Sequence, residues 1–308
     1  MISFLQGDVF DNIKKLDNDT IDCVVTSPPY WGLRDYGVDG QLGLEKTYQE
    51  HIQNIVELFR AMKPKLKDSA TIWLNYGDSY ASTVNGTKAK NIKNDDRGFV
   101  DKPFSTIQGS LKPKDLVMIP NRIAIALQDD GWWIRSEIIW HKPNPMPEST
   151  KDRPTSCHEK IWLITKSKKY YYDADAIREP VAQGTITRLS EKNLKNQKGS
   201  TRGNGGMRSN GNMKPVGNME TKNKRNVWTI TTKPCKEAHF ATFPKDLIEP
   251  CIKAGCPENG IVFDPFGGSG TTGIVAKSLN RKAILSELNP EYIEIAKTRI
   301  NKEFGMFK

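Results

Sequence analysis

Short apolar runs alternate along the chain with stretches in which apolar residues recur every three or four positions. The runs Ile2–Leu5, Ile21–Thr26, Ala70–Leu74, Ile134–Trp140, Ile161–Thr165, Ile261–Phe263 and Ala283–Ser286 predict strands. Helical spacing is carried by Tyr48–Met62, Met118–Asp130, Pro244–Ala254 and Pro290–Ile300. Strands alternating with helices predict a doubly wound, mainly parallel, Rossmann-like α/β sheet covered on both faces. In such a sheet, ligands sit at the carboxyl ends of the strands.

Two segments break the alternation. Ser82–Pro113 is polar and holds Lys88, Lys90, Lys93, Asp95, Asp96 and Arg97. Val181–Asn226 is glycine-rich and nearly devoid of bulky apolar residues, with Arg188, Lys198, Arg202 and Arg208 among its many basic positions. A segment this long inside a domain is a solvated linker or a functional insert, and its charge suits a DNA contact that orders on its target. The expected organisation is a catalytic half over residues 1–180, an insert over 181–226 and a cofactor-binding half over 227–308.

The 308 residues carry a formal net charge of +10, which suits a polyanionic partner without requiring one. No apolar stretch is long enough to span a bilayer, and the amino-terminal residues do not resemble a signal peptide, so a cytoplasmic, nucleoid-associated location is expected. Five scattered cysteines argue against a disulfide framework. Cys235 with His239, or Cys157 with His158, offers only two zinc ligands, so no metal site is expected.

Two motifs carry chemistry. In the first, the apolar strand ending at Thr26 runs into Ser27-Pro28-Pro29-Tyr30-Trp31. The prolines stiffen the backbone and keep its carbonyls out of any helix. Ser27 Oγ and the Pro28 carbonyl can then accept the two protons of a base amino group, with Tyr30 stacked on the ring. A rigid turn with aromatics packed on the core is the competing account. The second motif, Asp264-Pro265-Phe266-Gly267-Gly268-Ser269-Gly270-Thr271-Thr272, lies between a strand and a helix. Glycines there let a ligand approach the backbone. The spacing is not that of a dinucleotide fingerprint, and an acid ahead of the turn suits a cationic ligand such as a methionine ammonium. Glu287, at the end of the next strand, can accept ribose hydroxyls in either kind of site.

Together these stretches resemble the amino-methylating DNA methyltransferases of the β class, in which the SPPY or DPPY motif precedes the FxGxG motif. The resemblance covers nearly the whole chain outside the two polar inserts. It implies S-adenosyl-L-methionine as cofactor and double-stranded DNA as partner. It also implies a restriction-modification role with a possible cognate endonuclease in the same cell, and a monomer or homodimer. Gly7-Asp8 resembles the turn whose acid meets the cofactor adenine. His239–Ile252, with Phe240, Thr242 and Phe243, resembles the segment over the methionine end, and Ser286–Ala296, with Glu287, Leu288 and Asn289, the ribose-binding stretch. The insert falls where the family recognises its target.

By the same resemblance, serine at the first motif position accompanies cytosine-N4 methylation more often than adenine-N6 methylation. The base is expected to flip into the pocket and attack the methyl in line. No covalent intermediate is needed, and the proton is expected to leave afterwards through water. Trp31, Arg34 and Tyr36 are candidate DNA contacts, with core packing and a surface ion pair as alternatives; Trp132 and Trp133 are expected in the core. His141 is read chiefly as structural. A catalytically inactive DNA-binding protein, a dinucleotide oxidoreductase, and methylation of RNA or protein are the remaining alternatives.

Overall fold

Strand β2, Ile21–Thr26, is buried at every position, as a strand must be at the centre of a sheet covered on both faces. It belongs to a computed structural model that describes residues 1–83, 104–189, 220–233 and 243–305. The chain divides into two units, residues 1–172 with 226–308, and residues 173–225.

The larger unit begins with β1 (Ile2–Gln6), α1 (Val9–Lys14), β2, α2 (Tyr48–Met62), β3 (Leu66–Tyr76), α3 (Ile119–Asp129), β4 (Trp133–His141) and β5 (His158–Thr165). The smaller unit holds β6 (Glu179–Pro180), α4 (Gln183–Leu189) and β7 (Thr221–Lys222). The larger unit then resumes with β8 (Val227–Thr229), α5 (Lys245–Gly255), β9 (Ile261–Asp264), α6 (Thr271–Ser278), β10 (Lys282–Glu287) and α7 (Pro290–Phe304). Its eight strands lie in the order β1-β10-β9-β2-β3-β5-β4-β8. All pairings are parallel except those of β5, which runs against both β3 and β4.

This order places strands from opposite ends of the chain side by side. Cys23 and Val24 of β2 pair with Val262 and Phe263 of β9. From β2 the sheet winds one way to β3, and from β9 the other way through β10 to β1, so the β2/β9 boundary is its switch point. Ligands of open α/β sheets bind in the crevice such a point leaves.

Side chains alternate between the two faces of a strand. Val24, Ile72 and Leu74 share a core with Ile55 and Phe59 of α2 and Ile123 of α3. On the other face, Thr71 and Trp73 meet α5, where Thr71 Oγ1 donates to the Gly255 carbonyl at 2.9 Å. Helix boundaries follow from local chemistry. Thr47 and Glu50 cap the start of α2 reciprocally, and Asn289 caps α7 ahead of Pro290. Strands β3, β4 and β10 outrun their apolar runs at both ends because ladder bonds continue past the last apolar residue. Trp132 is buried, but Trp133 is 42% exposed, a correction to its expected place in the core: adjacent side chains at the start of β4 point to opposite faces.

The contact between α5 and β3 leaves no space. A Cβ on Gly255 would lie 2.3 Å from both Thr71 Oγ1 and Trp73 Nε1. Gly255→Ala is expected to cost about 1–3 kcal/mol, as overpacked core sites do, read as a lower urea midpoint with an unchanged slope.

In the smaller unit, Glu179 and Pro180 pair antiparallel with Lys222 and Thr221. Arg178 Nε donates to Thr221 Oγ1 at 2.7 Å. This pairing draws residues ahead of Val181 into the unit, which starts at Asp173. No helix among the described residues is long and apolar enough to cross a membrane.

Candidate active site

The two sequence motifs meet at the switch point. Asp264, the last residue of β9, accepts from Thr26 Oγ1 at 2.8 Å, from Thr272 Oγ1 at 2.6 Å and from Phe266 N at 3.1 Å. Thr26 ends β2 and leads directly into Ser27, so one carboxylate ties the two turns together across more than two-thirds of the chain. Asp264 is 1% exposed. Burial outweighs the three donors and pushes its carboxyl up to about 6. Glu287 at the end of β10 accepts from Gly268 N at 2.8 Å and Asn289 N at 2.9 Å, and burial raises its carboxyl as well.

Backbone space explains the glycines between them. Gly268 and Gly270 have φ of +48° and +79°, a region costly for other residues. A Cβ on Gly267 would lie 2.8 Å from Leu285 Cβ, and one on Gly270 would lie 2.8 Å from Ala296 Cβ. Arg299 of α7 donates to Ser269 Oγ at 2.6 Å and to Thr271 Oγ1 at 3.2 Å, fixing the turn from outside.

The Ser27–Tyr30 turn rests on a buried polar column. The Tyr30 ring stacks on Tyr76, centroids 4.4 Å apart. Tyr76 Oη accepts from Trp31 N at 2.8 Å and lies 2.7 Å from His51 Nε2, while His51 Nδ1 lies 2.9 Å from Glu45 Oε2. Trp31 belongs to this support. It is 2% exposed and its indole donates to the Glu45 carbonyl at 2.9 Å, which corrects its reading as a DNA contact: the side chain points inward to satisfy its N–H.

One cavity of about 590 Å³ is lined by Ser27, Pro28, Pro29, Tyr30, Asp264, Phe266, Gly267, Gly268, Ser269, Thr271 and Glu287, with Phe243 and Arg34 on its wall. A smaller cavity of about 60 Å³ is lined by Gly7, Asp8, Pro265 and Leu288 and shares Pro29, Tyr36, Phe266 and Glu287 with the first. Gly270, Thr272 and Asn289 line neither. They form, respectively, the start of α6, the buried partner of Asp264 and the cap of α7. Asp8 caps α1 through Oδ1, which accepts from Phe10 N and Asp11 N. Phe240, Thr242, Lys198, Arg202, Arg208, Cys235 and His239 lie outside the described residues, and Arg188 falls on α4. His141 lies 3.1 Å from Thr229 Oγ1 through Nδ1 and does not line the cavity.

Several lining residues escaped the sequence reading, among them Asn75, Trp140, Lys142, Glu159 and Tyr292. The HKPNP segment after β4 was a visible signal for Lys142. Glu159 gave none, because a strand's direction is not written in its hydrophobic pattern. Only the antiparallel course of β5 brings its amino end to the cleft.

Fold and site are those of an α/β enzyme that holds a ligand across the switch point of its sheet. The chain belongs to the N6/N4 DNA methylase family, whose pattern matches residues 21–298, and it is a DNA methyltransferase. It is 44% identical over 301 residues to the Type II methyltransferase M.Cfr9I of Citrobacter freundii, covering 98% of this chain and 88% of that one. It is 45% identical over 294 residues to M.SmaI of Serratia marcescens, covering 96% and 89%. Among solved structures, the PvuII DNA methyltransferase (cytosine-N4-specific) superposes with a TM-score of 0.64 at 19% identity, over 97% of this chain and 86% of the other. The M1.HpyAVI-SAM complex superposes with a TM-score of 0.54 at 19% identity, over 98% and 100%.

Proposed function

We propose that this protein transfers a methyl group from S-adenosyl-L-methionine to the exocyclic N4 of cytosine in duplex DNA, as the modification partner of a Type II restriction-modification pair. The observation that carries this reading is the single cavity lined by both the Ser27–Tyr30 turn and the glycine turn. Serine at the first motif position and the fold shared with a cytosine-N4-specific enzyme favour cytosine.

The residues present fit the cofactor. Two carboxyls, the buried Asp264 and the half-buried Glu287, line a cavity in which their charge is under-solvated, as a cationic amino acid moiety requires. A Cβ at Gly267 or Gly270 would collide with Leu285 or Ala296, so the turn keeps its glycines, and the backbone of Gly267 and Gly268 lines the cavity. Asp264 would attract the ammonium end, Glu287 would accept ribose hydroxyls, and Asp8 with Leu288 would flank the adenine. Bound S-adenosylmethionine supplies an electrophilic methyl group.

The chain's own residues orient the nucleophile. Ser27 Oγ and the Pro28 carbonyl accept the amino protons and hold the nitrogen lone pair toward the methyl. Tyr76 backs one face of the Tyr30 ring, so a flipped base stacks on the other face, a contact worth about 1–3 kcal/mol. Orientation of this kind contributes about 7–11 kcal/mol to rate enhancement.

Cofactor affinity should depend on pH through Asp264. A cation binds the ionised carboxylate, so below about 6 the site must first release a proton. Affinity is expected to be level above pH 7 and to weaken as pH falls through 6, toward about tenfold per pH unit. Isothermal titration from pH 5 to 8 reads this directly, and Asp264→Asn should flatten the acid limb; a wild-type limb that survives in Asp264→Asn assigns it elsewhere.

Methylation of a DNA library followed by single-molecule sequencing tests the function as a whole. Modified cytosines in one short sequence context are expected. Modified adenines overturn the cytosine assignment, and unmodified DNA overturns the function.

A further inference from the structure

Glu159 stands second in β5 on the wall of the cavity. Its carboxylate gathers three donors: Tyr30 Oη at 2.9 Å and Asn75 Nδ2 at 3.1 Å on Oε2, and the Lys142 ammonium on Oε1. The Lys142 ammonium also sits 4.4 Å from the centre of the Trp140 ring. Gly77 packs its backbone against both Tyr30 and Glu159. A Cβ there would lie 2.8 Å from Tyr30 Cε2 and 3.2 Å from Glu159 Cγ.

Distance and charge set the donor and acceptor roles in this cluster. An ionised carboxylate only accepts, and of the two acceptors in reach of the Tyr30 hydroxyl, Glu159 Oε2 at 2.9 Å and Asn75 Oδ1 at 3.5 Å, the nearer, charged one takes its single proton and leaves the Tyr30 oxygen as an acceptor. Ser27 Oγ, 3.3 Å from Tyr30 Oη, therefore donates to it. The Ser27 proton is thus aimed away from the base, and what Ser27 presents to an amino group is its lone pairs. Burial holds the Tyr30 hydroxyl well above its ordinary range, so the ring keeps its proton while at rest.

On the amino-methylation reading given above, we propose that Glu159 is a positioning residue for Ser27 and the final acceptor of the proton lost by the methylated nitrogen. The N–H bond breaks with its electron pair left on nitrogen, and the proton goes to Ser27 Oγ. The serine proton moves to Tyr30 Oη, and the tyrosine proton moves to Glu159 Oε2. The base ends neutral and methylated, both hydroxyls are restored, and the carboxylate has become a carboxylic acid. The Glu159 side chain is 17% exposed, enough to pass the proton on to solvent. This route replaces the direct exit through water expected from the sequence.

The test is single-turnover methyl transfer at saturating cofactor and DNA for Glu159→Gln, Tyr30→Phe, the double variant and Glu159→Asp. Phenylalanine keeps the ring stacked on Tyr76 and deletes only the hydroxyl. Each single neutral variant should slow transfer by more than about tenfold, with cofactor Kd within about twofold of wild type. The double variant should be within about threefold of the slower single, because both interrupt one chain. Glu159→Asp should recover part of the rate lost in Glu159→Gln. A loss below tenfold in either single variant, or losses that multiply in the double, overturns the relay. If Glu159→Gln fails to fold, Tyr30→Phe decides alone: a rate within tenfold of wild type overturns the proposal and a larger loss sustains it. A wild-type protein that puts no methyl on DNA defeats the underlying function instead, which separates the two failures.

Discussion

Replacing Tyr30 by alanine is expected to slow methyl transfer by about 10²–10³-fold while leaving cofactor affinity within about twofold of wild type. The mutation removes the ring proposed to stack on the base and the link from Ser27 to Glu159. It also opens a void against Tyr76, whose ring loses the partner 4.4 Å away. Ser27→Ala is expected to give a similar loss by a different cause, since one of the two acceptors for the amino protons disappears. The Asp264 carboxylate, proposed to hold the cofactor, is tied to this turn through Thr26, not through Ser27 or Tyr30, so binding and transfer should separate cleanly. Rapid-quench single turnover together with isothermal titration reads both quantities. Wild-type transfer in both variants removes the catalytic assignment.

Asp264→Ala is expected to weaken cofactor binding by about 10–100-fold, in the range of a lost interaction with a charged group. The substitution strands three buried donors, Thr26 Oγ1, Thr272 Oγ1 and Phe266 N, and unfastens β2 from β9 at the cleft. Asp264→Asn isolates charge from shape and carries an opposite effect on stability. The folded carboxyl titrates near 6 against an ordinary 3.8, so the folded state binds the proton more tightly than the unfolded chain. Its ionised form therefore costs stability above about pH 6, on the order of 3 kcal/mol, and that cost vanishes below about pH 4. Asparagine should be more stable than wild type at pH 7.5 and lose that advantage as pH falls toward 4. Equal cofactor affinity in wild type and Asp264→Ala removes Asp264 from the binding site.

Much of the architecture was legible because local and long-range signals agreed. The run at Ile21–Thr26 and the helical spacing at Tyr48–Met62 coincide with β2 and α2, where uniform burial and the Thr47–Glu50 cap fix the ends. The two chemical turns were legible for a different reason: Pro28, Pro29 and the glycines of 267–270 constrain backbone, and backbone constraints survive in a sequence. Side-chain direction does not survive as well. Trp133 stands one position from the buried Trp132, and Trp31 one position from the cavity-lining Tyr30, and only the pleat and the loop path sent Trp31 inward and Trp133 out. The Glu159 cluster was hidden because it needs three strand ends and the reversed direction of β5 to assemble. Asp8 and Asn289 illustrate a further limit, since a residue that marks a binding stretch in the sequence also serves as a helix cap in the fold.

Amino-nitrogen methylation is proposed to take place in one cleft shared by two distant turns. Duplex DNA incubated with the protein and S-adenosylmethionine, digested to nucleosides and resolved by mass spectrometry, tests that claim most directly. N4-methylcytosine is the predicted product, absent from digests made with Ser27→Ala. A product methylated at carbon 5 of cytosine, or no methylated nucleoside at all, would contradict it.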